Sequence, residues 1–268
     1  MSERPIALFY GGTNGSGKST LREIDSGSKI SKHIDPDAIA RVMNPQDPRA
    51  VDVAAGREAI HQFKQALAAK TSFTMETTLT GNGILRRMEE AKAAGFQVQL
   101  RYVGLNNADV NVERVANRVA KGGHHIDEDV IRRRYTESQE NLVRAVAICD
   151  KTLIRDNSGA MPVTYLKIEN NQITKLTDKE APNWIKSIET KIVAGMQASQ
   201  TQSKSIEKGN EIAAIPVTAI ESSETSEKSE KSIAIVNHGT NVLSVQDSPS
   251  NRMIAAVNES TKLDRSKP

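Results

Sequence analysis

The chain has 268 residues, 37% of them hydrophobic and 3% aromatic, with one cysteine and a formal net charge of +3. A single cysteine without a spaced Cys/His cluster excludes disulfide scaffolds and zinc ribbons, and no apolar run approaches the roughly 18 residues of a membrane span. With no signal pattern at the N-terminus and too little positive charge to argue for nucleic acid, a soluble cytoplasmic protein without membrane or nucleic-acid partners is expected.

Residues 5–11 (PIALFYG) form a short apolar run that ends at glycine, the pattern of a buried central strand. A glycine-rich turn follows, and a helix opens over Thr20–Glu23. A second strand over 29–34 leads into Asp35-Pro36-Asp37, a helix start that carries the chain to about Met43. Val53, Ile60, Phe63 and Leu67 keep a near-helical period through 51–70, and 71–77 reads as a third strand. Leu85–Ala94 is a helix stopped by Gly95, and Gln97–Val103 alternates as a fourth strand.

Asp109–Ala120 is expected to be helical, Lys121-Gly-Gly-His-His125 to break it, and Asp127 to cap a long helix ending near Ile148. Lys151–Arg155 is a fifth strand. A strand pair over Val163–Ile168 and Gln172–Leu176, then a helix over Pro182–Val193, complete the folded part. Strands alternating with helices predict an α/β fold, a parallel sheet flanked by helices, within a domain of residues 1–196. Residues 197–268 hold 13 serines, short runs of alternating charge and no aromatic residue. They are expected to be a disordered tail, with short apolar patches at Ile212–Ile220 and Ile233–Val236.

Gly12-Thr13-Asn14-Gly15-Ser16-Gly17-Lys18-Ser19 is a complete G-x-x-x-x-G-K-S phosphate-binding loop, placed between an apolar strand and a helix. Its glycines let successive backbone N–H groups turn toward phosphates, and the helix N-terminus adds its positive end. Lys18 is expected to bridge the β- and γ-phosphates, and the Ser19 hydroxyl to ligate Mg²⁺; Thr20 completes the nucleotide-binding set. Ligands of open α/β sheets gather at the carboxyl ends of the strands, where Asp35, Asp37 and Glu76 are placed. One such carboxylate can accept the proton of an attacking hydroxyl. Arg114, Arg118, His124, His125 and the run Arg132-Arg133-Arg134 supply cations for a lid over the phosphates, with Gly122-Gly123 as its hinge.

In order, Gly12 to Ser19, Ile34-Asp-Pro-Asp37, Met75-Glu-Thr-Thr-Leu79, and Gly122-Gly-His-His-Ile126 leading to Ile131-Arg-Arg-Arg-Tyr135 resemble the zeta-toxin family. These are small P-loop kinases, the toxin half of epsilon/zeta toxin–antitoxin systems, and the likeness spans about residues 5–160. The resemblance implies a P-loop kinase-like fold with a five-stranded parallel core. It also implies ATP and Mg²⁺ as cofactors, and phosphorylation of a hydroxyl on UDP-N-acetylglucosamine or a related UDP-sugar. A separately encoded antitoxin is the implied partner. Carried over by motif, Asp37 is the general base and Glu76 a substrate contact, with Thr77 and Thr78 beside it. Arg118, Arg133 and Arg134 are placed in the phosphate clamp. Thr-Thr-Leu stands where the best-known members have Gly-Thr-Gly-Arg. A kinase of another small hydroxyl compound, an antibiotic or a metabolite, would use the same residues. A nucleotide-dependent switch ATPase is the remaining alternative, although no apolar strand ends in the aspartate that it would need.

Overall fold

Strand β1 (Ile6–Gly11) lies inside a seven-stranded sheet, and five of its six residues are buried, as a strand covered on both faces requires. The computed structural model describes residues 3–25 and 30–212. All of these belong to the first of two units, Met1–Ile215.

The sheet runs β2 (Lys32–Ile34), β3 (Phe73–Thr77), β1, β4 (Gln97–Gly104), β5 (Lys151–Asp156), β6 (Val163–Glu169), β7 (Gln172–Lys175). The first five strands in that order pair in parallel, with Phe9 opposite Met75 on one side and Leu100 on the other. β6 and β7 are antiparallel additions at the β5 edge. The sheet is therefore mixed, and the expected parallel arrangement describes its five-stranded part. Asn170 and Asn171 turn the β6–β7 hairpin at φ 52° and 58°. Two consecutive left-handed residues are what a tight hairpin needs, and asparagine tolerates them best after glycine.

Among the described residues seven α-helices flank the sheet: α1 (Lys18–Ile24), α2 (Pro36–Met43), α3 (Asp52–Ala68), α4 (Asn82–Ala93), α5 (Ala108–Val119), α6 (Glu128–Ile148) and α7 (Asn183–Ile212). On one face of the sheet Phe73 meets Phe9, Phe63 and Phe96 at ring-centroid distances of 6.0, 5.6 and 5.8 Å. These rings anchor the larger hydrophobic core; Leu8, Tyr10, Leu21 and Val103 form a smaller one. A short 3-10 turn, Pro48–Val51, joins α2 to α3.

α7 continues to Ile212, well past the expected end near Val193, and so enters the segment expected to be disordered from Gln197. No glycine or proline interrupts Met196–Lys208, and Gln, Lys and Glu there are good helix formers. The rest of the expected tail, 213–268, with the Ile233–Val236 patch and nearly all of Ile212–Ile220, lies outside the described residues. Among the described residues no helix is long and apolar enough to cross a membrane.

Candidate active site at the carboxyl ends of the parallel strands

The phosphate loop leaves β1 at Gly11 and enters α1 through Gly17, which stands at the N-cap with φ 99°. Gly12 and Gly15 also have positive φ, 145° and 78°. At Gly12 the need for glycine is steric as well, because a Cβ would collide with the Val103 carbonyl. Two asparagines hold the loop from behind. Asn111 Nδ2 donates to Asn14 O at 2.7 Å, and Asn157 Nδ2 donates to Ser16 O at 2.9 Å. The Ser16 hydroxyl is buried in the loop without a hydrogen-bond partner among the described residues. Thr13 is buried, whereas Thr20 lies exposed on α1.

Lys18 Nζ donates to the loop's own carbonyls, Gly12 O at 2.8 Å and Thr13 O at 3.2 Å. Burial lowers its pKa, with Glu76 and Asp37 pulling the other way. One residue on, Ser19 Oγ donates to Glu76 Oε2 at 3.0 Å. The other carboxylate oxygen, Oε1, faces Arg22 Nε at 3.1 Å in an ion pair that lacks the angle of a hydrogen bond. Glu76 ends the buried part of β3 and is itself 8% exposed. Its pKa is raised, first by burial and then by Asp35, against the opposing pull of Lys18, Arg22 and Ser19.

Asp35 and Asp37 sit at the start of α2 and do different work. Asp35 is the N-cap, accepting from the N–H groups of Asp37 at 3.0 Å and Ala38 at 3.2 Å. That bond fixes the first turn and leaves the Asp37 carboxylate on the wall of a cavity of about 520 Å³, together with Lys18 and Glu76. Thr77, Thr78 and Thr80 line the same cavity. Thr78 and Thr80 share a hydroxyl hydrogen bond of 2.8 Å. Between them Leu79 is fully buried at φ 58°, a conformation that a leucine adopts at a cost. Its N–H is taken up by Thr77 Oγ1, and its carbonyl by Asn141 Nδ2 from α6, which also reaches Gly81 O.

The three consecutive arginines separate. Arg132 is turned to Asp109 and Glu128 at 2.7 Å each, Arg133 is exposed and away from the cavity, and Arg134 lines it. Arg134 donates to Asn14 Oδ1 at 3.0 Å, joining α6 to the phosphate loop. Arg118 is not on the cavity wall: it is exposed and donates to His124 O at 2.9 Å. Of Arg118, Arg133 and Arg134, only Arg134 lines this cavity; on α6 the three consecutive arginines part because successive helical side chains point about 100° apart.

The Gly122-Gly123 pair, expected as the hinge of a lid, closes helix α5 in this structure. Gly122 at φ 83° bonds back to Val119 O, and Gly123 to Arg118 O, both at 2.9 Å, the Schellman pattern that ends α5. His124 and His125 follow on the cavity wall. Asp127 stands at the N-cap of α6, but its carboxylate meets His125 Nε2 at 3.1 Å and makes no cap bond. Asn111, Asn157, Asn141, Arg49 and Arg87 belong to this region without any sequence motif to announce them.

The residues present suit nucleotide and magnesium. The loop offers a glycine cradle, a lysine and an orphaned buried hydroxyl. Ser19 and Glu76 offer the hard oxygens that magnesium takes beside phosphates. No group of three or more acidic, histidine or cysteine side chains that could hold a metal ion occurs among the described residues.

The family model for Zeta toxin matches residues 1–167. An uncharacterized protein of Haemophilus influenzae is 49% identical over 129 residues, 48% of this chain and 91% of that protein. The AvrRxo1-ORF1:-ORF2 structure with ATP superposes with a TM-score of 0.53 at 11% identity, over 65% of this chain and 61% of that one. At that identity the likeness is one of fold alone. The PezAT chromosomal toxin–antitoxin system of Streptococcus pneumoniae aligns with a TM-score of 0.47 at 16% identity, over 71% of this chain and 86% of that one.

Proposed function

The chain belongs to the zeta-toxin family, and from that premise we propose that it is an ATP- and Mg²⁺-dependent kinase that phosphorylates a hydroxyl of UDP-N-acetylglucosamine or a related UDP-sugar. The observation that carries this reading is the meeting of Lys18, Asp37 and Glu76 on one cavity, at the ends of three adjacent parallel strands. The ATP in the AvrRxo1 structure, which shares the fold, supports the choice of phosphoryl donor.

In this reading the loop amides and Lys18 hold the donor's β- and γ-phosphates, and Lys18 exchanges its bonds to Gly12 O and Thr13 O for phosphate oxygens. Ser19, with Glu76 beside it, would hold magnesium, which when bound would neutralise phosphate charge. Asp37 takes the proton of the acceptor hydroxyl as that oxygen attacks the γ-phosphorus. Arg134 stabilises charge on the transferred oxygens, and Asn14 holds it in place. Thr77, Thr78 and Thr80 orient the acceptor. A separately encoded antitoxin completes the proposal.

The experiment is ADP release from ATP·Mg²⁺ with a panel of UDP-sugars, followed by mass spectrometry of the sugars. A phosphate added to UDP-N-acetylglucosamine, and lost in folded Lys18→Ala and Asp37→Ala, is the expected result. Unchanged sugars alongside acceptor-independent hydrolysis would falsify the assignment and favour the switch ATPase. Transfer to a different hydroxyl compound would keep the kinase and replace its acceptor.

A further inference from the structure

The turn that leaves β5 is held from two sides. On one side it supports the phosphate loop: Asn157 Nδ2 donates to Ser16 O at 2.9 Å, and a Cβ on Gly17 would stand 2.5 Å from that same nitrogen. The backbone of Asn157 is fixed separately, its N–H on Gly104 O at 3.0 Å and its carbonyl accepting from Arg114 Nη2 at 2.8 Å.

On the other side stands Trp184, the one tryptophan of the chain, in the first turn of α7 and outside the residues 1–167 that the family model matches. Its ring is buried, with its centroid 6.1 Å from that of Tyr102, and it covers Gly104 so closely that a Cβ there would lie 2.7 Å from Cη2. Its Nε1–H donates to Asp156 Oδ1 at 2.9 Å. Phenylalanine would serve the packing alone, whereas a buried indole N–H must have an acceptor, and here that acceptor begins the turn.

Asp156 passes the contact on. The same Oδ1 accepts from Ser158 Oγ at 2.9 Å, Oδ2 accepts from the Ser158 N–H at 3.1 Å, and Ser158 Oγ accepts from the Asn106 N–H at 2.7 Å. Both carboxylate oxygens are thus engaged in closing one turn around Asn157, and the indole fixes which way the carboxylate faces.

We propose that Trp184 is a positioning residue of the nucleotide site: its N–H orients Asp156, Asp156 sets the turn over 156–158, and Asn157 carries that setting to the Ser16 carbonyl of the phosphate loop. α7 is then part of what shapes the loop for phosphate, as well as a cover for the sheet. This inference rests on reading the loop as the nucleotide site and makes no use of the acceptor.

The test is calorimetric binding of a non-hydrolysable ATP analogue with Mg²⁺ to the full chain, in wild type, Trp184→Phe, Asn157→Ala and the double variant, with cooperative thermal unfolding as the check on folding. Trp184→Phe is expected to weaken binding about 5- to 20-fold, and to change it by less than about 2-fold where Asn157 is already alanine. A purely structural role would lower the melting temperature and leave the affinity of the folded variant unchanged. That result overturns the inference, as does an equal loss in both backgrounds. If Trp184→Phe does not fold, Asp156→Asn, whose amide replaces one of the two accepting oxygens with a donor, is judged in the same two backgrounds. Loss of folding in both variants shows a structural role alone and overturns the inference too. Failure of wild type to bind the analogue removes the nucleotide reading and this inference with it, whereas wild-type binding that Trp184→Phe leaves unaltered removes the inference and keeps that reading.

Discussion

Ser19 Oγ and Glu76 Oε2 are joined by a 3.0 Å hydrogen bond that ties the end of the phosphate loop to the end of β3. The expected magnesium ligand is therefore already in contact with the carboxylate expected to serve the acceptor side. Glu76 is held there against its own preference, since burial raises its pKa.

The first prediction concerns that cost. In acid Glu76 is neutral in both folded and unfolded chains. As pH rises, the unfolded chain releases this proton in the ordinary carboxyl range, and the folded chain only at its raised pKa. Stability contributed by Glu76 is thus lost across that interval and stays lost above it. Glu76→Gln should remove this slope, raise the melting temperature at neutral pH and reduce phosphoryl transfer. Melting curves of both proteins from pH 4 to 8 check it; a variant less stable than wild type throughout would show that the Arg22 pair outweighs desolvation.

Arg134 and Arg133 are sequence neighbours with different surroundings, so they should respond differently. Arg134→Ala is expected to lower kcat about 10²- to 10³-fold, the usual effect of losing a donor aimed at transition-state charge. Arg133→Ala should stay near wild type. Steady-state kinetics with saturating ATP separates the two, and equal losses would mean that α6 rotates when ligands bind.

The glycine pair after α5 offers a backbone test. Gly122→Ala meets nothing within 4 Å and should cost about 1–2 kcal/mol through its left-handed φ alone. Gly123→Ala would place a Cβ 2.6 Å from Arg118 Cγ and 2.9 Å from Arg118 O, so it should cost more and disturb the His124-His125 segment. Urea denaturation of both variants gives the order; a reversed order would contradict the cap geometry.

Asn141→Ala removes both donors to Leu79 O and Gly81 O at once. A loss of about 1–3 kcal/mol is expected for leaving the buried Leu79 carbonyl unpaired. Because these bonds hold the threonine-lined loop, acceptor KM should rise while ATP KM stays unchanged. An unaltered acceptor KM would show that the core alone fixes the loop.

Much of this was legible in the residues. β1 announces itself as an apolar run, β4 by alternation and the phosphate loop as a spacing, because all three reflect short-range rules of burial and backbone turning. What escaped depends on three-dimensional neighbours. Nothing in Arg132-Arg133-Arg134 says which one meets Asn14, since that is fixed by the rotation of α6 against the loop 120 residues away. Lys70 ends α3 at φ 51°, where Gly95 and Gly122 end α4 and α5, so the glycine rule for helix stops misses it. Asn111 and Asn157 support the loop through side-chain bonds to its carbonyls, which leave no pattern along the chain. The extent of α7 follows from propensity that a serine-rich composition obscured.

The left-handed turn at Leu79 bears on how such an enzyme could diversify. Its side chain is sealed in the core, and its backbone is held from β3 and α6, so the loop's course is inherited with the hydrophobic interior. The tips of Thr78 and Thr80, bonded only to each other, remain negotiable, whereas Thr77 Oγ1 is needed by the Leu79 N–H. New substrates would arise here by exchanging hydroxyls on a rigid frame, and rarely by redrawing the loop.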